Sequence, residues 1–218
     1  MIPLRALLQR HSTPVMTLII IGLNVFCFFV ELTQPAYLNS AFIQHYALIP
    51  DQLRLTALVT SMFLHGGWLH LIGNMWFLWV FGSHIENALG SGRFLFMYLL
   101  CGVLSATVQL MTNLGSPIPT IGASGAIAGV MGAFVVLYPR VRVLTLVFIV
   151  FFITTVDIPA AFMLIYWFLI QLGSGLLSAG RFSDAGGVAW FAHVGGFLAG
   201  VFLIRLFPVA RRRYYTYS

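Results

Sequence analysis

Long apolar runs with arginines at their ends constrain this chain more than any other feature. "VMTLIIIGLNVFCFFVEL" (15–32) and "FLFMYLLCGVLSATVQLM" (94–111) are two of them. A run of about 20 apolar residues is the length of a helix across a bilayer. In hydrocarbon every backbone N–H and C=O needs an internal partner, which leaves helices or closed barrels. The runs are continuous rather than alternating, so helices are predicted over a barrel. Composition agrees, with 60% hydrophobic and only 7% charged residues, where soluble domains carry about 25% charged.

Six spans are predicted: 14–33, 68–87, 93–112, 123–138, 159–178 and 187–207. Between the first two lies a more polar, proline-bearing stretch, read as a long loop with short interfacial helices. The start of the chain has a basic head and an apolar core, but no small-x-small cleavage site follows, so it reads as an uncleaved span. The region 141–178 is apolar nearly throughout and is broken by Asp157 and Pro159. Charge decides how often it crosses. With one span here, nine arginines (5, 10, 93, 140, 142, 205 and 211–213) lie inside, and Arg54 and Arg181 outside. Basic residues favour the cytoplasmic side. The segment "VRVLTLVFIVFFITTV" (141–156) is then non-spanning, and its β-branched content suits something short, extended or interfacial. The predicted fold class is all-α: a polytopic six-helix membrane bundle with both termini cytoplasmic. Its parts are an N-terminus at 1–13, a membrane domain at 14–207 and a basic tail at 208–218.

Polar residues inside spans are costly and default to functional candidates. Ser124 opens the fourth span in "IGASGAIAGVMGA" (121–133), His193 lies near the outer end of the sixth, and His70 and Asn74 lie in the outer half of the second. The topology came from arginines alone, yet all four fall at one depth. His70 and Asn74, four apart, share a helix face, and both side chains can donate hydrogen bonds. Ser124 stands where a helix begins, so nearby backbone N–H groups are unpaired. Those are the parts of an oxyanion site, and His193 can serve a serine hydroxyl as base. Gly125, Gly129 and Gly132 bare one side of the fourth helix, and Gly196 and Gly200 form a GxxxG after His193. Small-xxx-small faces let membrane helices approach closely.

Three motifs in this order resemble the rhomboid family of intramembrane serine proteases. "GASG" (122–125) is similar to its GxSG motif, "HLIGN" (70–74) to its HxxxN motif and "AHVGGFLAG" (192–200) to its AHxxGxxxG motif. "ENALGSGRF" (86–94) also resembles the family's segment between its second and third spans. The resemblance covers about 55–207. It implies Ser124 as nucleophile and His193 as base and acid, with the Ser124 N–H, His70 and Asn74 as oxyanion donors. His65, Gly122, Gly125, Gly196 and Gly200 would support them. The implied activity is a Ser–His endopeptidase that cuts transmembrane proteins near the extracytoplasmic side, at segments whose helix unwinds cheaply. The implied setting is the bilayer, with a bacterial inner membrane as the expected location. One departure stands out: some relatives carry an aromatic four residues after the serine, and here that position is Ala128, which leaves the histidine to glycine-mediated packing.

The rival readings fare worse. A rhomboid-like protein that binds membrane clients without cutting them would lack Ser124 or His193. A transporter needs polar residues continuing inward, and below Asn74 the span reads "MWFLWVF" (75–81). No cofactor is called for. His65, His70 and His84 lack the i, i+4 spacing of a helical metal pair, so no metal is expected. The arginines form no stripe with interleaved aromatics, so no nucleic-acid partner is expected. Glu86 is read as a cap for the following "GSG" turn, Asp157 as the start of the fifth span, and Cys27 and Cys101 as packing residues.

Overall fold

The computed structural model describes residues 1–149, 152–178 and 188–209. The basic tail from 210 onward and Arg181 lie outside the described residues. Strand β1 (Ile2–Ala6) leads into helix α1 (Val15–Thr33). Two short helices follow, α2 (Ala36–Tyr46) and α3 (Ala57–Thr60). Helix α4 (Trp68–Phe77) continues through one π-turn at Leu78–Gly82 into α5 (Ser83–Leu89). After Gly90 comes α6 (Ser91–Thr112), then α7 (Ser124–Leu137). A hairpin of β2 (Arg142–Ile149) and β3 (Phe152–Pro159) precedes α8 (Ala160–Ser178), and α9 (Trp190–Leu203) completes the bundle. Three of these helices, α1, α6 and α8, are long and apolar enough to cross a membrane, and α7 and α9 are shorter apolar helices.

Helix α1 shows how the bundle sorts its side chains. Its buried residues are Thr17, Ile20, Asn24, Phe28 and Glu31, spaced three and four apart as one face. Its exposed residues include Leu18, Ile19, Leu23, Phe26 and Phe29. Polar side chains thus face the bundle and apolar ones face outward, which is where membrane helices put them. At the centre stands α7, buried without a break from Gly125 to Phe134. A helix that is apolar all round belongs in the middle of a bundle.

Hydrogen bonds sort the helix termini into two ends. At one end, Glu86 near the close of α5 reaches the start of α1. Its Oε1 accepts from Met16 N–H at 2.8 Å and from Ser91 Oγ at 2.6 Å. Its Oε2 accepts from the N–H and the hydroxyl of Thr17, both at 2.7 Å. At the same end the Asn87 Oδ1 accepts from the Ser12 hydroxyl at 2.9 Å, and Arg93 donates to the Pro208 carbonyl at 3.4 Å. At the opposite end, Glu31 accepts from the His65 N–H at 3.0 Å, just before α4. The assignment of Glu86 to the "GSG" turn is therefore incomplete. Ser91 belongs to that turn, but the main duty of Glu86 is to cap α1 from 70 residues away. Thr13 and Pro14 precede α1 with no side-chain cap of their own, so the orphan N–H groups of its first turn take a carboxylate from elsewhere.

The fold is mostly helical, and the small sheet is its departure from an all-α bundle. β2 is central, with β1 and β3 antiparallel on either side. Pro3 sits at a bulge in the edge strand β1, where its missing N–H costs no ladder bond. The 141–156 segment is extended, one of the conformations its β-branched content suited. Its pairing with residues 2–6 was not visible, because pairing is a long-range event. The reading of Asp157 is corrected. It lies exposed in β3 opposite Leu144, three residues before α8. Helix α8 needs no acid there, since Ala160 N–H donates to the Val141 carbonyl at 2.8 Å and Ala161 N–H to that of Pro139 at 3.2 Å. Cys27 is half-buried and Cys101 buried, both as free thiols.

Replacing Glu86 by Ala strands the N–H groups of Met16 and Thr17. Lost charged hydrogen bonds to buried donors cost about 2–4 kcal/mol. A thermal melt of the purified variant in detergent should show a clearly lowered midpoint; a wild-type melt would contradict the capping role.

Candidate functional site

Two helix starts and one helix face meet at the end of the bundle opposite Glu86. Ser124 is the first residue of α7. The loop into it is held by backbone bonds: Thr120 and Leu48 exchange N–H···O bonds of 2.8 and 3.1 Å, and Gly122 N–H donates to the Ser61 carbonyl at 2.9 Å. Gly122 has φ +119°, a conformation that side-chain-bearing residues rarely adopt. A Cβ there would also lie 2.8 Å from both Cε1 and Nε2 of His70 and 3.6 Å from Asn74 Nδ2. So the His70 ring edge and the Asn74 amide both face the backbone two residues before Ser124. Gly66 N–H approaches His70 Nδ1 at 3.4 Å, which leaves Nε2 to carry the ring proton. Asn74 Nδ2 is buried and finds no hydrogen-bond partner among the described residues.

His193 lies in the first turn of α9. Its Nε2 is 2.8 Å from Ser124 Oγ. The separation depends on how closely α7 and α9 pack. A Cβ on Gly196 would fall on the Gly125 carbonyl, one on Gly200 on the Gly129 carbonyl, and one on Gly132 on the Phe197 carbonyl. The two backbones are in direct contact, which only glycine permits. The start of α9 is held from a third side by α6. Gln109 Oε1 accepts from Ala192 N–H at 3.2 Å, and Ser105 Oγ donates to the Ala192 carbonyl at 2.7 Å. Both polar groups of the residue before His193 are thereby fixed.

Of the residues singled out from the sequence, the structure brings together Ser124, His193, His70, Asn74 and Gly122. Gly125, Gly196 and Gly200 line the α7–α9 contact. His65 meets this group through an edge-on ring contact with His70, at 5.2 Å between centroids. Three residues escaped the sequence reading: Ser105, Gln109 and Gln171. Gln171 Oε1 is 2.7 Å from His193 Nδ1, and the Trp167 ring packs on His193 at 5.6 Å between centroids. The view that glycine packing alone holds the histidine is therefore corrected. With Ala128 fully buried and too small to reach the ring, an aromatic and an amide from α8 cover it instead. The signal was present, since Gln109 and Gln171 are polar residues within apolar spans.

Comparison with known proteins settles the family. A rhomboid domain model matches residues 52–209, more than half of the chain. The chain belongs to the rhomboid family. This rhomboid is 28% identical over 197 residues to the rhomboid protease GluP of Bacillus subtilis (strain 168), covering 88% of its own length and 35% of that protein. It is 31% identical over 188 residues to the mitochondrial presenilin-associated rhomboid-like protein of Bos taurus, covering 85% of itself and 46% of the relative. It is 28% identical over 166 residues to the mitochondrial rhomboid protein 1 of Saccharomyces cerevisiae, covering 73% and 44%. The chain thus spans between about a third and a half of the length of these relatives. It shares with them a membrane-spanning family whose members include proteases.

A Gly200→Val substitution in this rhomboid drives side-chain carbons into the Gly129 carbonyl. Overpacking costs about 1–3 kcal/mol, and the α7–α9 separation must widen. The expected result is a lowered melting midpoint; an unchanged one would show that the helices have slack.

Proposed function

We propose that this rhomboid is an intramembrane serine endopeptidase with Ser124 as nucleophile and His193 as general base. The observation that carries the reading is the 2.8 Å contact between Ser124 Oγ and His193 Nε2, set beside a buried Asn74 donor with no partner among the described residues. His193 takes the hydroxyl proton as Ser124 Oγ bonds to the scissile carbonyl carbon. The carbonyl oxygen gains charge facing His70 Nε2, Asn74 Nδ2 and the N–H groups at the start of α7, which is the arrangement that stabilises a tetrahedral intermediate. His193 then gives its proton to the leaving amine and the acyl-enzyme forms; water, deprotonated by the same base, adds to the acyl carbon, and the proton passes to Ser124 Oγ as the ester bond breaks. His65 supports His70 through their ring contact. Gly122, Gly125, Gly196 and Gly200 keep the helices close enough for the dyad.

The proposed topology is six spans with both termini cytoplasmic: α1, the continuous α4–α5 rod, α6, α7, α8 and α9. The membrane domain runs over 14–207. Segment 1–13, with its strand, and tail 208–218 lie on the inner face. Its support is the sorting of helix ends: Arg5, Arg93 and Arg142 collect at the end marked by Glu86, where basic residues belong. A bacterial inner membrane is the proposed location; one relative is a bacterial protein, while several others bear mitochondrial names. Helix α7 has 14 residues, about 21 Å at 1.5 Å per residue, against about 30 Å of hydrocarbon. One of its ends therefore falls within the bilayer, and Ser124 stands at that end. Substrates are transmembrane segments. A helix hides its scissile carbonyl, so segments that unwind cheaply through glycine or proline are favoured.

Labelling by a fluorophosphonate probe tests the reading. Wild type should label, and Ser124→Ala and His193→Ala should not. Folded wild type that neither labels nor cuts a transmembrane test substrate would point to client binding without cleavage. For Asn74→Ala, loss of one oxyanion donor should lower kcat roughly 10²-fold with KM little changed, measured on a fluorogenic transmembrane peptide in detergent. An unchanged kcat would remove Asn74 from the oxyanion site.

A further inference from the structure

A polar side chain on α8 touches the one ring nitrogen that the serine does not. Gln171 and His193 are 6% and 8% exposed, and Gln171 Oε1 stands 2.7 Å from Nδ1. Trp167, Gln171 and Gly175 are spaced four apart, so they form one face of α8. That face lies against the start of α9. Trp167 covers the His193 ring, and a Cβ on Gly175 would sit 3.2 Å from Trp190 Cβ and 3.4 Å from the Phe191 ring. The small residue at 175 thus lets α8 come close enough for a glutamine to reach the histidine.

We infer that Gln171 is a positioning residue that makes the dyad a Ser124–His193–Gln171 chain, holding His193 in the tautomer that carries its proton on Nδ1. A neutral imidazole has one N–H and one lone pair, and the partner of one nitrogen decides the state of the other. An amide oxygen at Nδ1 only accepts, so Nδ1 must donate and Nε2 keeps its lone pair toward Ser124 Oγ. When Nε2 takes the serine proton, the resulting imidazolium has both N–H groups bonded, one to the amide and one to the reacting oxygen. A carboxylate in this place would do the same with greater pull, but burying a charge among apolar helices costs several kcal/mol. A neutral amide fixes the tautomer without that charge. The catalytic consequence rests on the protease reading above; the tautomer does not.

Amide orientation and ring tautomer are tested by nitrogen NMR. The full chain is prepared in detergent with ¹⁵N-labelled histidine, and His193 is assigned by its loss in His193→Ala. Wild type should show Nδ1 protonated and Nε2 unprotonated. In Gln171→Leu, of similar volume, the two nitrogens should move toward a mixture of tautomers, while Gln171→Glu, which retains an acceptor, should restore the wild-type pattern. In kinetics, Gln171→Leu should lower kcat on the order of 10- to 100-fold with KM within about twofold, a split that mere loss of packing would not give, and Gln171→Glu should recover part of it. A wild-type spectrum with the proton on Nε2 overturns the inference, since the amide would then be donating. So does a folded Gln171→Leu with unchanged tautomer and kcat. If the tautomer responds to Gln171 but no serine reactivity exists in wild type, the positioning stands and the protease reading falls.

Discussion

The rest of this structure depends on the contact between the α7 and α9 backbones. Carbonyl groups of Gly125 and Gly129 lie where Cβ atoms of Gly196 and Gly200 would be. In lipid there is little hydrophobic gain from bringing two helices together, since hydrocarbon is as apolar as leucine. Association rests on close van der Waals packing, and backbone contact gives the most of it. That one contact sets the 2.8 Å between Ser124 and His193. It also makes α7 the central helix, short and buried all round, with a serine at its first turn.

Around this pair the bundle is organised by polar groups that face inward. Glu86 caps α1, Glu31 accepts from the backbone before α4, and Ser105 with Gln109 brackets Ala192. Each joins a helix side chain to backbone groups of another element. Such bonds matter in an apolar setting because an unpaired polar group there loses its full solvation. They also set register: Ser105 and Gln109 fix the residue immediately before His193, so the histidine is aimed by the neighbouring helix as well as by its own.

Helix α8 is held differently. Its outward face is apolar and exposed, with Phe162, Leu169 and Leu177 among its residues. Its inward face offers Trp167 and Gln171 to the histidine. The family resemblance implied a bare Ser–His dyad with the histidine covered, in some relatives, by an aromatic on the serine helix. Here Ala128 vacates that role and α8 supplies the cover. The histidine is thus covered from a different helix, which ties the orientation of His193 to the placement of α8.

The sequence by itself determined the helical class, the apolar runs and the set of polar residues worth suspecting. Apolar stretches of spanning length leave the backbone few choices, and a serine, a histidine or an asparagine within them is conspicuous because it is costly. Glycine spacing likewise marked the faces of α7 and α9 as bare. Only the tertiary structure decided what each polar group meets. Glu86 caps a helix 70 residues earlier in the chain, Asp157 lies in a strand rather than at a helix start, and residues 2–6 pair with 143–146. Gln171 was hidden for the same reason: a glutamine in an apolar run is a candidate for many roles, and a bond to a histidine 22 residues away leaves no local pattern. Local sequence sets what a segment must bury and which groups need partners. Which partner is found depends on how distant segments pack, and no spacing along the chain encodes that.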